Sequence, residues 1–285
     1  MNILSTTILT ETQKNEVIDL ISTCQDFDGT HSDIYLSNEY NFDKDMPAFF
    51  LAYKQNQLVG FLSNYADEID DAEISLIVHP NFRRRGIASE LIKIFEKEIN
   101  YLKNIYFKTE YNFIKSNRGL LDKWNLKIDE DKDIILERDR EKYEIEKNPL
   151  WEVKKASLQD VDAIAEFQSK SFDMPIDVSL RYAKEPIVGE NKDVYILKEN
   201  GKVIASCSVD YSYNSNYLFG FATLEEKRGK GVGSYLIKNI INYLIDTNKE
   251  PFQIMVKEDN FGARKLYERL GFKEVSTVMY LKYAN

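Results

Sequence analysis

Twice along this chain an apolar run ends in charge, gives way to glycine, and is followed at once by a helical pattern. The later copy, Phe219 to Leu236, reads FGFATLEEKRGKGVGSYL, with Gly229, Gly231 and Gly233 at every second position. Behind it Leu236, Ile237, Ile240, Ile241 and Leu244 fall on one side of a helix. The earlier copy, Ala72 to Leu91, reads AEISLIVHPNFRRRGIASEL and centres on Gly86, with Leu91, Ile92, Phe95 and Ile99 behind it. Gly86 and Gly231 lie 145 positions apart, and twice that spacing nearly spans the 285 residues. Two copies of one domain are therefore expected. Strand, glycine-rich turn and helix start together build an anion site. Glycine lets backbone N–H groups approach a ligand closely, and a helix N-terminus presents unpaired donors and partial positive charge.

A chain of this length can bury two cores. Its 43% hydrophobic and 30% charged residues are ordinary for a globular protein. A net charge of −9 disfavours a nucleic-acid partner, which would need a basic face, and mildly favours a neutral or cationic substrate. Cys24 and Cys207 stand one in each half, and two reduced thiols in a cytoplasmic protein are expected. The first residues lack the basic start and apolar core of a leader, and no run reaches membrane-spanning length, so no membrane partner is expected. Oligomeric state leaves no trace in the sequence.

Each half repeats one order: strand, helix, hairpin, strand, helix, strand, helix, strand. In the first, Ile3 to Leu9 is a short strand, and Thr10 or Thr12 caps a helix through Val17, Leu20 and Ile21. Asp26 to Asn38 reads as loop, and a hairpin turns at Gln55-Asn56. Ile105 to Tyr111 and Ile134 to Leu136 are strands around a short helix that Ser116 or Asn117 would cap. Arg138 to Asn148, dense in charge, is the candidate linker, or else extends a helix or strand. In the second half Ser157 caps a helix through Val161, Ile164 and Phe167. Phe172 to Asp177 reads as loop, and Asn200-Gly201 is a strong hairpin turn. The expected class is α+β, or mixed α/β, with a mostly antiparallel sheet flanked by helices in each domain. Domains are expected over 1–140 and 150–285, with 141–149 between them.

Arg228-Gly229-Lys230-Gly231-Val232-Gly233 has the spacing Arg-x-x-Gly-x-Gly. It does not fit a dinucleotide fingerprint, because Ser234 stands where the third glycine should fall. Nor does it fit a nucleoside-triphosphate loop, since no Gly-Lys-Ser/Thr follows. The stretch resembles the acetyl-CoA pyrophosphate loop of the GNAT acyltransferase superfamily. Downstream, Asn260 to Phe272 reads NFGARKLYERLGF and is similar to that family's second signature, Asn-x-x-Ala-x-x-x-Tyr-x-x-x-Gly-Phe. In the first half Arg83-Arg84-Arg85-Gly86-Ile87-Ala88 keeps the loop spacing, with Ala88 as the permitted small residue. The second signature is eroded there. Asn117 can be set against Asn260, but Trp124 then replaces Tyr267, and Leu120 replaces Ala263.

The resemblance implies a tandem GNAT N-acetyltransferase that passes an acetyl group from acetyl-CoA, as co-substrate, directly to a primary amine of a small molecule or peptide. It assigns coenzyme contacts to Ala222, Thr223, Arg228, Gly229, Lys230, Gly231, Val232, Gly233, Ser234 and Asn260 in the second domain. In the first it assigns them to Ile77, Val78, Arg83, Arg84, Arg85, Gly86, Ile87, Ala88 and Asn117. Tyr267 is the expected acid for the leaving thiolate, because a phenol near pKa ~10 stays protonated at neutral pH. Its alternative is an aromatic that packs helix on sheet. Asp210 and Glu73 are candidate bases, with exposed surface carboxylates as the blander reading. His79 and His31 are loop residues, and no metal-ligand spacing occurs. The second domain is the expected catalyst. A non-catalytic acyl-CoA-binding sensor or scaffold is the alternative.

Overall fold

In the computed structural model, which describes residues 1–213 and 215–284, the chain divides into two compact units. One comprises Met1–Ile135 with Val275–Asn285, the other Leu136–Glu274.

The first unit opens with β1 (Asn2–Thr6) and α1 (Glu11–Asp28). Thr10 is the cap. Its hydroxyl oxygen accepts the Gln13 N–H at 3.2 Å, while the Gln13 side chain accepts the Thr10 N–H at 2.9 Å, so two orphan helix donors are satisfied reciprocally. Thr12 lies inside the helix. Strands β2 (Phe49–Lys54) and β3 (Gln57–Tyr65) form the expected hairpin. Gln55 and Asn56 take φ of 49° and 65°, the left-handed pair that a tight hairpin turn requires. Then come β4 (Asp71–Val78), α2 (Ile87–Glu98), β5 (Asn104–Glu110), α3 (Tyr111–Ser116), α4 (Gly119–Lys123) and β6 (Leu126–Arg138).

The second unit holds β7 (Trp151–Lys155), α5 (Val161–Phe172), α6 (Ile176–Val188), β8 (Lys192–Glu199), β9 (Lys202–Tyr213) and β10 (Ser215–Thr223). It continues with α7 (Val232–Thr247), β11 (Phe252–Lys257) and α8 (Phe261–Arg269) before β12 (Lys273–Tyr283). Helix α6 occupies a stretch whose opening residues read as loop. Pro175 sits at its N-cap, where a proline costs no hydrogen bond.

Strand order in the first unit is β1-β2-β3-β4-β5-β12-β6, and in the second β11-β10-β9-β8-β7. The registered pairs are antiparallel apart from β4–β5 and β10–β11. This is the mixed, mostly antiparallel architecture expected of each half. The boundaries differ from those expected. The last strand, within 150–285 by sequence, lies in the first unit, where Val278 to Lys282 run antiparallel to Glu110 to Tyr106.

The expected linker is also tied down. Arg138 Nε donates to the Leu270 carbonyl at 2.8 Å, and the Tyr143 hydroxyl donates to the same oxygen. Arg140 donates to Ile245 O at 3.0 Å and to Glu250 O at 2.5 Å. Charge density here serves helix ends, since guanidinium groups satisfy carbonyls that α7 and α8 leave open.

The first core gathers Phe50, Val59, Leu62, Ile74, Leu91 and Phe95 between sheet and α2. The second gathers Ile164, Phe167, Ala183, Val194, Ile196 and Val203 between α5, α6 and the sheet.

Candidate active site

Two features of each unit converge on one place. The first is a splay between parallel strands. β4 pairs with β5 from Asp71–Asn104 to Ser75–Lys108 and no further. β10 pairs with β11 from Asn216–Phe252 to Leu218–Ile254. Beyond these points Leu76–Val78 and Phe219–Thr223 run on without a partner in the neighbouring parallel strand. Backbone groups there are available to a ligand that adds itself to the strand edge.

The second feature is the turn after each splayed strand. Gly231 is the N-cap of α7 at φ 82°, with no side-chain cap. Gly86 does the same for α2 at φ 84°. A Cβ on Gly86, Gly229 or Gly231 would meet nothing within 4 Å. The space over these backbones is therefore open, and glycine serves for its dihedral and for close approach of a ligand. The first donors of α7, on Val232, Gly233 and Ser234, point out of an uncapped helix mouth. Gly233 is glycine for another reason, since a Cβ there would lie 2.7 Å from the Phe221 ring.

An arginine closes each turn onto its strand. Arg228 Nε donates to Thr223 O at 3.3 Å, and Arg83 Nε donates to the corresponding Val78 O at 2.9 Å. Beyond that the turns differ. Gly229 (φ 72°) is matched by Arg84, which holds the left-handed conformation (φ 61°) as a non-glycine, at a cost of about 1–2 kcal/mol. Arg83 makes a bidentate pair with Asp28 of α1, at 2.7 and 2.6 Å, and its guanidinium lies over the rings of Phe27 and Phe113. Arg85 stacks on Phe82, and Lys230 is exposed.

Tyr267 sits in α8, only 4% exposed, against Phe221 and Phe272 with ring centroids 6.2 and 6.0 Å away. Burial pushes its phenol well above the ordinary value, and the neighbouring Cys207 and Tyr217 push the same way. The ring contacts are those of an aromatic that packs helix on sheet, and the raised phenol leaves its proton in place at neutral pH. Asn260 is the N-cap of α8, its side-chain oxygen accepting the Ala263 N–H at 3.1 Å. This explains the Asn-x-x-Ala spacing as a capping requirement.

The first unit lacks that arrangement. Asn117 follows α3 and turns its amide back to Phe113 O at 2.9 Å, so it caps nothing as Asn260 does. The single helix α8 is matched by the broken pair α3 and α4, with Trp124 just past the end. A cavity of about 340 Å³ opens here. It runs from the turn, at Arg84, Gly86 and Ala88, past Ile77 and Val78 to Gln25, Ser32 and Glu110. Its inner wall is apolar, with Ile74, Phe107, Ile114, Leu126 and Leu281.

The remaining candidates fall apart in space and role. Asp210 is 5% exposed, so it is no surface carboxylate, and it accepts the Ser212 N–H at 2.8 Å. Glu73 pairs with Lys108 at 3.3 Å. His79 Nδ1 accepts the Asn81 N–H at 3.2 Å while its ring meets Phe82, a turn-forming role. Cys24 lines the cavity. Burial raises its thiol to about 11, too high for a nucleophile at neutral pH. Sequence reasoning passed over Glu110 and Phe221. A carboxylate closing an apolar strand was the available signal for the first, and an aromatic opposite Gly233 for the second.

Residues 14–117 and 160–272 each match the model of the Acetyltransferase (GNAT) family. An uncharacterized N-acetyltransferase of Methanocaldococcus jannaschii is 26% identical over 127 residues, covering 43% of this chain and 78% of that relative. Among solved structures, a tandem GNAT protein from the clavulanic acid biosynthesis pathway superposes with a TM-score of 0.73 at 13% identity, covering 100% of this chain and 99% of its own. A GCN5-related N-acetyltransferase from Sphaerobacter thermophilus gives 0.70 at 13% identity, covering 98% and 95%. At that identity the structures speak for the fold.

Proposed function

The chain belongs to the GNAT acetyltransferase family, and on that footing we propose that it transfers an acetyl group from acetyl-CoA to a primary amine, with the second unit as the catalyst. One observation carries this reading. Gly229 and Gly231 hold left-handed backbone beneath open space at the uncapped mouth of α7. Backbone N–H groups of Val232, Gly233 and Ser234 would take the diphosphate, with Arg228 and Lys230 adding charge. The run Phe219–Thr223, which includes Ala222 and Thr223 and has no partner on its β11 side, would hold the pantetheine arm as an added strand. The bound coenzyme supplies the activated acyl group and a sulphur leaving group. Tyr267 holds a proton at its phenol oxygen for that sulphur, and its burial keeps the proton in place through the alkaline range. The amine must arrive neutral, and Asp210, buried at the end of β9, is the carboxylate of this unit singled out to receive its proton. The acceptor is a small molecule or peptide amine, and a net charge of −9 fits it better than nucleic acid. Two buried free thiols suit a reducing, cytoplasmic setting. No described helix is long and apolar enough to cross a membrane.

For the first unit a second reading has its own support. The helix that carries Tyr267 in one unit is broken between α3 and α4 in the other, and no tyrosine stands in its place. We infer that this unit binds an acyl-CoA without turnover. Calorimetry of the full chain with acetyl-CoA, on Gly86→Glu and Gly231→Glu variants, separates the two. Each substitution should remove one binding event, and only Gly231→Glu should abolish thiol release with an amine library. Two binding events with no thiol release from any amine would leave the chain a binder only.

A further inference from the structure

Arg138 ends β6 and falls in the second unit. It is 8% exposed, and among the described residues it pairs with no carboxylate. Its donors go to backbone carbonyls instead: Nε to Leu270 O at 2.8 Å, Nη1 to Asp139 O at 2.7 Å and Nη2 to Glu141 O at 2.5 Å. The guanidinium lies over the Tyr143 ring, 4.3 Å from its centroid, and the Tyr143 hydroxyl donates to Leu270 O as well. A buried cation without a counter-charge costs stability, and a neutral donor would satisfy Leu270 O alone. What the guanidinium adds is a planar fork of fixed geometry, which holds three carbonyls at once, and a positive charge at the C-terminal end of α8.

Leu270 is three residues past Tyr267, where α8 ends. Its N–H donates to Leu266 O at 3.1 Å and to Tyr267 O at 3.0 Å, and the Phe272 N–H donates to Tyr267 O at 3.0 Å. Gly271 makes the turn at φ 79°, and a Cβ there would lie 3.5 Å from Arg138 Nε. A short run of hydrogen bonds therefore leads from Arg138 through Leu270 to the Tyr267 backbone. The helix has only nine residues, so its last turn is held by this end and not by length.

We propose that Arg138 is a positioning residue for Tyr267, fixing the last turn of α8 so that the phenol stays where the leaving thiolate forms. This rests on Tyr267 as the acid of the proposed transfer. Arg138 acts through the α8 backbone and not on the reacting atoms. The rings of Phe221 and Phe272 hold the other side of Tyr267, so loss of Arg138 frees the ring to shift without emptying its pocket.

Fluorine NMR of the full chain, with a ring-fluorinated tyrosine at position 267, tests this without any amine. The parent should give one narrow resonance. Arg138→Gln should shift or split it and move the phenol titration down toward the free value, because the ring is no longer held in its buried place. Arg140→Ala, which loosens α7 of the same unit, should leave the resonance where it is. A folded Arg138→Gln chain with the parent's resonance and titration overturns the proposal, and so does an equal shift in Arg140→Ala. If Arg138→Gln does not fold, Tyr143→Phe, which removes only the second donor to Leu270 O, decides in its place. In thiol release from acetyl-CoA with the amine library, Arg138→Gln should lower kcat by ~10–100-fold and leave KM for acetyl-CoA within ~3-fold. It should cost nothing further in a Tyr267→Phe chain, and additive losses overturn the positioning role. A Tyr267→Phe chain with the parent's kcat would sink the acid reading itself, and the fluorine shift, present or absent, tells the two failures apart.

Discussion

Ile87 and Gly60 fit face to face, and a Cβ built on Gly60 would lie 2.7 Å from Ile87 Cγ2 and 3.1 Å from Leu91. Gly60 is on β3 and Ile87 opens α2, so this contact sets how closely the helix behind the Gly86 turn seats on its sheet. The second unit has Ala205 and Val232 at the matching places. A methyl group has moved from the helix to the strand. Gly60→Ala should destabilise the first unit by about 1–3 kcal/mol through overpacking, since a β-branched isoleucine cannot swing clear. Adding Ile87→Ala, which removes the Cγ2 that the new Cβ would meet, should cost less in the Gly60→Ala protein than in the wild type, giving the pair a measurable coupling. Chemical denaturation followed by Trp124 emission in a Trp151→Phe background reads it out. Additive effects of the two substitutions would show that the spacing is set elsewhere.

Tyr267→Phe tests the acid role without disturbing the packing. The ring contacts with Phe221 and Phe272 survive the change, so the melting temperature should stay within a few degrees. Turnover should fall by about 10²–10⁴ if the phenol delivers the proton, with KM for acetyl-CoA little changed. Burial raises this phenol above the free value near ~10, so Tyr267 contributes no alkaline limb to the rate below that pH. The linkage has a matching sign. The stability that comes from keeping the phenol neutral is full below the free value and is lost as pH climbs through the raised one. A variant with unchanged kcat across pH 6–10 would reduce Tyr267 to a packing residue.

Much of the site was legible because its parts are local. Gly86 and Gly231 announce themselves by spacing, Asn260 by its distance from Ala263, and the hairpins by Gln55-Asn56 and Asn200-Gly201. What escaped depends on tertiary partners. Helix α6 was hidden because Pro175 and Asp177 argue for loop, although a proline before the first turn and an acid within it are both compatible with a helix start. The docking of β12 beside β5 was unreadable, since a strand's alternation says which face is buried and nothing about its neighbour. Glu110 looked like any carboxylate at a strand end. Its burial follows from the loop at His31 and Ser32 folding over it, 79 and 78 positions away.

Asp160 anchors the start of α5 and gives a pH-dependent prediction. It is 4% exposed, accepts the Ser157 N–H and hydroxyl at 3.0 Å, and pairs with Lys198 at 2.8 Å and Lys154 at 2.9 Å. Burial alone would raise its carboxyl, but the two ammonium groups and the Ser157 donors outweigh that and hold it far below the usual range. A depressed folded value means stability that is present above the free aspartate value of ~3.9 and lost as pH falls below it. Asp160→Asn should cost about 2 kcal/mol at pH 7. That is less than the ~3–5 of a sealed pair, because Lys154 is 36% exposed and partly solvated. The gap between wild type and variant should narrow steadily below pH 4. A gap that stays constant down to pH 2.5 would mean the hydrogen bonds matter and the charge does not.

Arg140 caps the C-terminal end of α7 from outside the helix. Its two terminal nitrogens reach Ile245 O, Asn248 O, Asn248 Oδ1 and Glu250 O, so carbonyls that a helix end leaves unpaired meet one planar cation. α7 is the helix whose other end opens at the Gly231 turn, and its last turn holds no basic residue of its own. Arg140→Ala should therefore destabilise the second unit by about 2 kcal/mol, combining lost charge-assisted hydrogen bonds with the lost helix-end interaction. Arg140→Lys should recover less than half, because a point charge cannot serve several acceptors in the fork geometry that a guanidinium matches. Trp151 packs on Tyr235 of α7, with ring centroids 5.1 Å apart, and reports on this unit once Trp124→Phe removes the other indole. Urea unfolding followed at that tryptophan should show the midpoint falling for Arg140→Ala with an unchanged slope. Full recovery by lysine would assign the effect to charge alone, and no shift at all would make residues 138–148 the passive linker that their composition suggests.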